Sequence, residues 1–246
     1  MENRNVNNIR DNTFEIIIIN FHKNHFINLI LTSMKKIILT SLLTFAFGFT
    51  NAQNAKFGIK GGLNVANQSN PGGGEIVDFN TSSLIGFHIG GFVEIKISDK
   101  FSIQPELLYS AQGGKLNFTV LTSIDGDPNS VPEYVNTEVV NNLSYINIPV
   151  MFKYYVIEKF SLELGPQLGI LVDSKRKMTN TNNGQTFEDS YNYDSIDYGL
   201  NLGAGYDITD SLTTGIRYSL GLYDIATFSN EVKNSVLSLS VSYKFE

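Results

Sequence analysis

The chain contains no cysteine among its 246 residues, so a disulfide framework, a thiolate metal site, a cysteine nucleophile and a lipid-attachment cysteine are all excluded. Charge is sparse too. Asp, Glu, Lys and Arg make up 17% of the sequence, against about a quarter in an average soluble protein. Proline occurs 6 times, whereas glycine occurs 21 times and aromatics reach 12%, a balance that suits many strands and turns. Mean hydropathy is near zero, too polar for a bundle of membrane helices. Basic side chains are outnumbered 18 to 24 by acidic ones, which argues against nucleic acid as a partner, because that needs a basic face.

Near the N-terminus, Met34-Lys35-Lys36 opens a positively charged start and Ile37 to Phe49 is apolar. Thr50-Asn51-Ala52 then offers small residues before Gln53. Residues 34–52 thus have the plan of a secretory signal peptide, and the apolar stretch is shorter than the ~20 residues a membrane-spanning helix requires. Residues 1–33 serve no export purpose and read as an over-extended frame, with translation starting at Met34. Removing residues 1–52 takes away five basic and three acidic side chains, leaving a more acidic product in which His88 is the one remaining histidine. The mature domain is expected to occupy residues 53–246.

From Lys56 to Phe245 the sequence alternates apolar and polar residues, the period of a strand with one greasy and one wet face. Eight such segments are expected, at 56–65, 85–97, 101–112, 145–156, 160–172, 197–208, 212–222 and 235–245. The breaks between them alternate in length. Ser98-Asp99-Lys100, Ile157-Glu158-Lys159 and Thr209-Asp210-Ser211 are tight, while 67–83, 114–142, 173–194 and 224–234 are long. An even number of strands, short turns on one rim and long loops on the other describe an all-β fold. The expectation is an eight-stranded antiparallel up-and-down transmembrane β-barrel with short periplasmic turns and long extracellular loops, lodged in the outer membrane.

Two orientations compete. With the apolar face inward the barrel would be soluble and hold a ligand, as lipocalins do. With the apolar face on lipid, Glu94, Lys96, Glu106, Lys153, Glu163 and Arg217 point into a narrow lumen, where opposite charges must pair to offset burial. The leader, the loop asymmetry, the strand lengths and aromatic residues near strand ends, such as Phe101, Tyr109, Tyr154, Phe160, Tyr206 and Tyr243, favour the lipid-facing arrangement. At the start of the third long break, Lys175-Arg176-Lys177 is a candidate contact for lipopolysaccharide phosphates at the outer rim.

Four segments carry a resemblance. Tyr145-Ile-Asn-Ile-Pro149-Val-Met-Phe-Lys153-Tyr-Tyr155, Leu164-Gly165-Pro166-Gln-Leu-Gly169, Gly199-Leu-Asn-Leu-Gly203-Ala-Gly205-Tyr206 and Leu237-Ser-Leu-Ser-Val-Ser-Tyr243-Lys-Phe245 together resemble the PorT-like outer-membrane β-barrel domain family of Bacteroidetes. The resemblance implies an eight-stranded outer-membrane barrel, with a founding member linked to type IX secretion. It implies as partners outer-membrane lipid and lipopolysaccharide, the barrel-assembly machinery, and an envelope or secretion-system protein. Glu246 departs from the aromatic ending that assembly machinery reads.

No catalytic motif accompanies this pattern, and no cofactor or metal is expected. Asp125-Gly126-Asp127-Pro128-Asn129 begins like a calcium loop, but Ser130 stands where glycine is needed and Asn136 where the closing acid belongs, so an acidic loop tip is the better reading. Gly199, Gly203 and Gly205 are out of order for a dinucleotide fingerprint and read as strand glycines. Pro105, Pro149 and Pro166 each remove a ladder donor and predict bulges or wide pairs. His88 invites a lipid A hydrolase hypothesis, but it sits on the lumen face without a serine or acid pattern. A non-enzymatic barrel acting through its surface loops is expected, with a secretion or transport accessory as the competing function.

Overall fold

In a computed structural model the described residues are 55–69, 79–122, 133–190, 193–225 and 232–245. The expected signal peptide at 34–52, the upstream residues 1–33 and the acidic run 125–129 lie outside them. Ten strands form: β1 (Ala55–Gln68), β2 (Phe79–Ser82), β3 (Leu84–Lys96), β4 (Phe101–Thr122), β5 (Glu133–Ile157), β6 (Phe160–Asn180), β7 (Thr186–Asp189), β8 (Ile196–Asp207), β9 (Leu212–Gly221) and β10 (Asn234–Lys244).

Eight of them make a ring. Each barrel strand pairs antiparallel with its neighbour in sequence, in the order β1, β3, β4, β5, β6, β8, β9, β10, and β10 closes on β1 from Gly58↔Lys244 to Gln68↔Asn234. Both chain ends of the ring lie on the short-turn side, where Ile97 N and Ser98 N donate to Phe101 O and Ile208 N and Thr209 N donate to Leu212 O. Closure leaves the ring no free edge, which is the condition for burying strands in hydrocarbon.

The apolar face points outward. Ile59, Leu63, Ile89, Leu107, Leu164, Leu202, Leu239 and Val241 are each at least half exposed, while Glu94 and Glu106 are only 2% and 3% exposed. This inverts a soluble barrel and excludes the lipocalin-like arrangement. Aromatics mark two levels on the outer face: Phe101 packs against Tyr154, and Tyr243 against Phe245, near the short turns, while Phe87 meets Tyr109 and Tyr198 meets Tyr223 toward the other rim.

Two of the expected long loops are strand instead. Segments 114–142 and 173–194 were expected to leave the sheet, yet β4 and β5 stay paired to Thr122↔Glu133, and β6 runs on to Asn180 beside β5 and β7. Together with β2, which pairs Phe79↔Phe118 through Ser82↔Lys115, they form a sheet projecting past the barrel in the order β2, β4, β5, β6, β7. Alternation persists from Lys115 to Phe118 on β4, but the runs Asn136 to Glu138 on β5 and Asp173 to Lys177 on β6 are polar on both faces, so the signature of a membrane strand is lost there although the ladder continues. Gly113 sits where β4 leaves the ring, with φ +137°, and a Cβ there would stand 1.9 Å from Asn141 O. Glycine alone fits.

The prolines do not produce bulges. Pairing of β3 with β4 stops at Phe92↔Glu106 and resumes at Ile95↔Ile103, and pairing of β5 with β6 stops at Pro149↔Gln167 and resumes at Phe152↔Leu164, both in unchanged register. The missing donors interrupt the ladder without shifting it. The irregularities fall elsewhere, between Ser144 and Tyr145 and between Tyr155 and Ile157.

The candidate functional site, a filled lumen

Every second residue of each barrel strand points inward, and each of the eight strands contributes one inward charge to a common network. These eight charges form one chain of alternating sign. Lys60 of β1 reaches Glu106 of β4 at 3.2 Å. Arg217 of β9 donates from Nη1 and Nη2 to the two oxygens of Glu106, both at 2.8 Å, and Nη2 also donates to Glu163 of β6 at 3.0 Å. Lys153 of β5 lies 3.5 Å from Glu163 and 3.9 Å from Glu94 of β3. Lys244 of β10 joins Glu94 at 3.2 Å to Asp207 of β8 at 3.3 Å. Four cations meet four anions, so the chain is neutral as a whole. Most of its links span strands that are not neighbours in the ring, and therefore tie across the lumen what the backbone ladder cannot.

Neutral groups supply much of the remaining coordination, while Arg217 Nε stays buried without a partner among the described residues. Gln104 Nε2 donates to Glu106 at 2.8 Å, and Lys153 Nζ donates to Gln104 Oε1 at 3.2 Å. Ser102 Oγ and the Tyr155 hydroxyl both donate to Glu94 Oε1, and Thr213 Oγ1 donates to Asp207. A buried ion pair is worth keeping only when its remaining lone pairs and protons are satisfied in this way.

Five of the six charges expected in the lumen meet here: Glu94, Glu106, Lys153, Glu163 and Arg217. Lys96 does not. It is the last residue of β3, beyond Glu94 toward the short-turn rim, and stands exposed. Lys60, Asp207 and Lys244 were left out of the expected set although each occupies a polar position of its strand's alternation. Charge balance could not have found them, because the expected set already held three anions and three cations; their place in the alternation was the usable signal.

The lumen is nearly full. Two interior cavities beside the network are about 10 and 30 Å³, room for a water or two. Toward the loop rim Leu143, Tyr145 and Ile225 form a buried apolar cluster, with Leu171, Tyr193 and Val232 packed on them.

His88 lies in this interior, 5% exposed, with Nδ1 2.8 Å from Asn64 Oδ1. Asn64 Nδ2 donates to Ser110 Oγ at 3.0 Å, and Ser238 Oγ donates to Asn64 Oδ1 at 3.0 Å. With the amide placed by those bonds, Oδ1 accepts and His88 Nδ1 carries the proton. The imidazole is a donor in this polar cluster, bonded through Nδ1 to the Asn64 amide.

The basic triplet is split by alternation. A bulge at Val172 reverses the inward parity of β6, so Lys175 and Lys177 are exposed on one face and Arg176 turns to the other. Arg176 holds Asp189 of β7 through two bonds, from Nε at 2.8 Å and from Nη2, which keeps the Asp189 carboxyl below its ordinary range. Lys175 lies 3.6 Å from Asp173. At the rim, the Tyr223 hydroxyl donates to Asp194 at 3.0 Å, which raises its own pKa.

An eight-stranded ring with lipid-facing aliphatics and a neutralised, closed interior defines a transmembrane β-barrel. The family model for the outer membrane protein beta-barrel domain matches residues 51–227, and the chain belongs to that family. It is therefore an integral protein of the outer membrane. Similar solved structures include neisserial surface protein A, at 15% identity, a TM-score of 0.44, and coverage of 78% of this chain and 100% of that one. Ail of Yersinia pestis follows at 14% identity, TM-score 0.43, and the same coverages. OprG of Pseudomonas aeruginosa stands at 12% identity and TM-score 0.36, covering 78% of this chain and 97% of its own. Among curated proteins there is no match.

Proposed function

We propose that the protein is a non-enzymatic barrel that works through the sheet it raises beyond the membrane, its lumen serving to hold the ring shut. The observation that carries this reading is the eight-charge chain. It occupies the space that a pore or a substrate would need, and it links all eight strands. Eight strands enclose an interior just wide enough for side chains, so this filling is complete at ordinary side-chain size. Planar-bilayer recording of the refolded protein tests it: no steady conductance is expected, and a stable open channel would overturn it.

The exposed Lys175 and Lys177 give the projecting sheet a way to meet lipopolysaccharide phosphates, with Arg176 committed to Asp189. Replacing both lysines by alanine is expected to lower retention on lipopolysaccharide-containing vesicles several-fold at low salt while leaving retention on phosphatidylcholine vesicles alone. The PorT-like reading, with its secretion-accessory role, draws support from one feature. The Tyr145 to Tyr155 and Leu164 to Gly169 segments lie side by side, with Ile148 opposite Leu168 and Lys153 opposite Glu163. Loss of type IX cargo export on deletion in the source cell would favour that role.

A further inference from the structure

Above the neutral chain of eight charges, Asp197 is a ninth. It is the second residue of β8, 7% exposed, and it forms no ion pair with a described residue. A relay of amides runs toward it across the lumen. Asn141 Nδ2 donates to Gln68 Oε1 at 3.0 Å, Gln68 Nε2 donates to Asn234 Oδ1 at 3.3 Å, and Asn234 Nδ2 donates to Asp197 Oδ2 at 3.0 Å. The protons of that relay all point at the carboxylate. Its other oxygen, Oδ1, is buried and has no partner.

A second orphan oxygen shares the place. Asn147 and Asp197 are the two cross-strand partners of Gly169, on either side of it. Asn147 is 6% exposed and its Oδ1 is likewise without a partner. A methyl group at Gly169 would lie 3.0 Å from Asn147 Oδ1, 3.2 Å from the Tyr145 ring and 3.5 Å from Asp197 Cβ, so the missing side chain leaves a notch that these groups wall. The cavity of about 30 Å³ adjoins it through Asn147 and Gln167. Water in the notch would supply donors but leave the negative charge uncompensated, and a carboxylate out of solvent without a counter-charge takes up either a proton or a cation, of which only the cation also gives the orphan Asn147 oxygen a partner.

From this placement we infer that the Gly169 notch binds a small hard monovalent cation, of the sodium type, between the Asp197 carboxylate and the Asn147 amide oxygen. Oxygen donors suit a hard cation, and a single carboxylate matches a single positive charge, whereas calcium sites gather six to eight oxygens, usually with several carboxylates.

The test uses the whole refolded barrel in detergent at fixed ionic strength, with sodium chloride exchanged for choline chloride. Sodium is expected to raise the unfolding midpoint saturably, by about 2–4 °C, and to show a broadened sodium-23 resonance in the presence of protein. Asp197→Asn should abolish both effects. Equal midpoints in sodium and choline, or the same gain in Asp197→Asn, would overturn the inference. A larger gain with calcium than with sodium would overturn the monovalent assignment. Should Asp197→Asn fail to refold, the sodium-23 linewidth on the unaltered protein decides alone, and a linewidth equal to that of the buffer counts against the site.

Discussion

Glu106 is the residue on which most of the lumen converges, since it accepts from Arg217 twice, from Lys60 and from Gln104. Glu106→Gln would keep its shape and remove its charge, leaving a guanidinium and an ammonium short of one anion in a closed interior. Breaking a buried pair from one side costs about 3–5 kcal/mol, so the urea midpoint read by heat-modifiable gel mobility should fall markedly. Removing Arg217 as well should cost less than the sum of the two single changes, because the second change relieves part of the imbalance left by the first. Outside the membrane, Arg176 and Asp189 give a pH dependence of known sign. The Asp189 carboxyl is depressed in the folded sheet, so its contribution is fully present above the ordinary aspartate range and is lost as pH falls through the lower folded value. Relative to intrinsic exchange, which itself slows in acid, protection of the Thr186–Asp189 amides should fall on acidification through that range while the barrel amides stay protected.

At the scale of elements, the projecting sheet and the ring are separable. The ladder below Gly113↔Asn142 belongs to the barrel, whereas β2, β7 and the upper parts of β4, β5 and β6 support one another. Replacing 115–140 by a two-residue turn should therefore leave the folded gel band in place, since loop length alters closure entropy only slowly. Loss of the heat-modifiable form would show that the projection helps to build the ring. The strands of the ring were legible from alternation alone, because lipid and lumen impose opposite chemistry on successive residues. The projecting sheet was not, since polar runs such as Asn136 to Glu138 and Asp173 to Lys177 suit a loop as well as a strand. The bulge at Val172 was equally silent in the sequence, and it is what divided Lys175, Arg176 and Lys177 between two faces. Within the lumen, polar positions announced Glu94 or Arg217 readily. Which of them would touch depended on the register between strands far apart in sequence.

For the whole molecule, the two aromatic levels set the membrane thickness it fits. Phe101 and Tyr109 on β4, and Tyr206 and Tyr198 on β8, are each eight positions apart, ~26 Å along a strand at ~3.3 Å per residue and about 20 Å once tilted by ~40°. Folding yield and urea resistance should accordingly be higher in short-chain than in long-chain phosphatidylcholine bilayers, as measured by gel mobility after refolding into each. The charge chain adds a constraint on biogenesis. Lys60 and Lys244 belong to the first and last strands, and their anions are on β4, β3 and β8. A half-inserted sheet, not yet curled, would present naked carboxylates and ammoniums to acyl chains with their mates still out of reach. Insertion and curling must then advance together, so a stalled precursor should accumulate at the membrane surface and not within the bilayer.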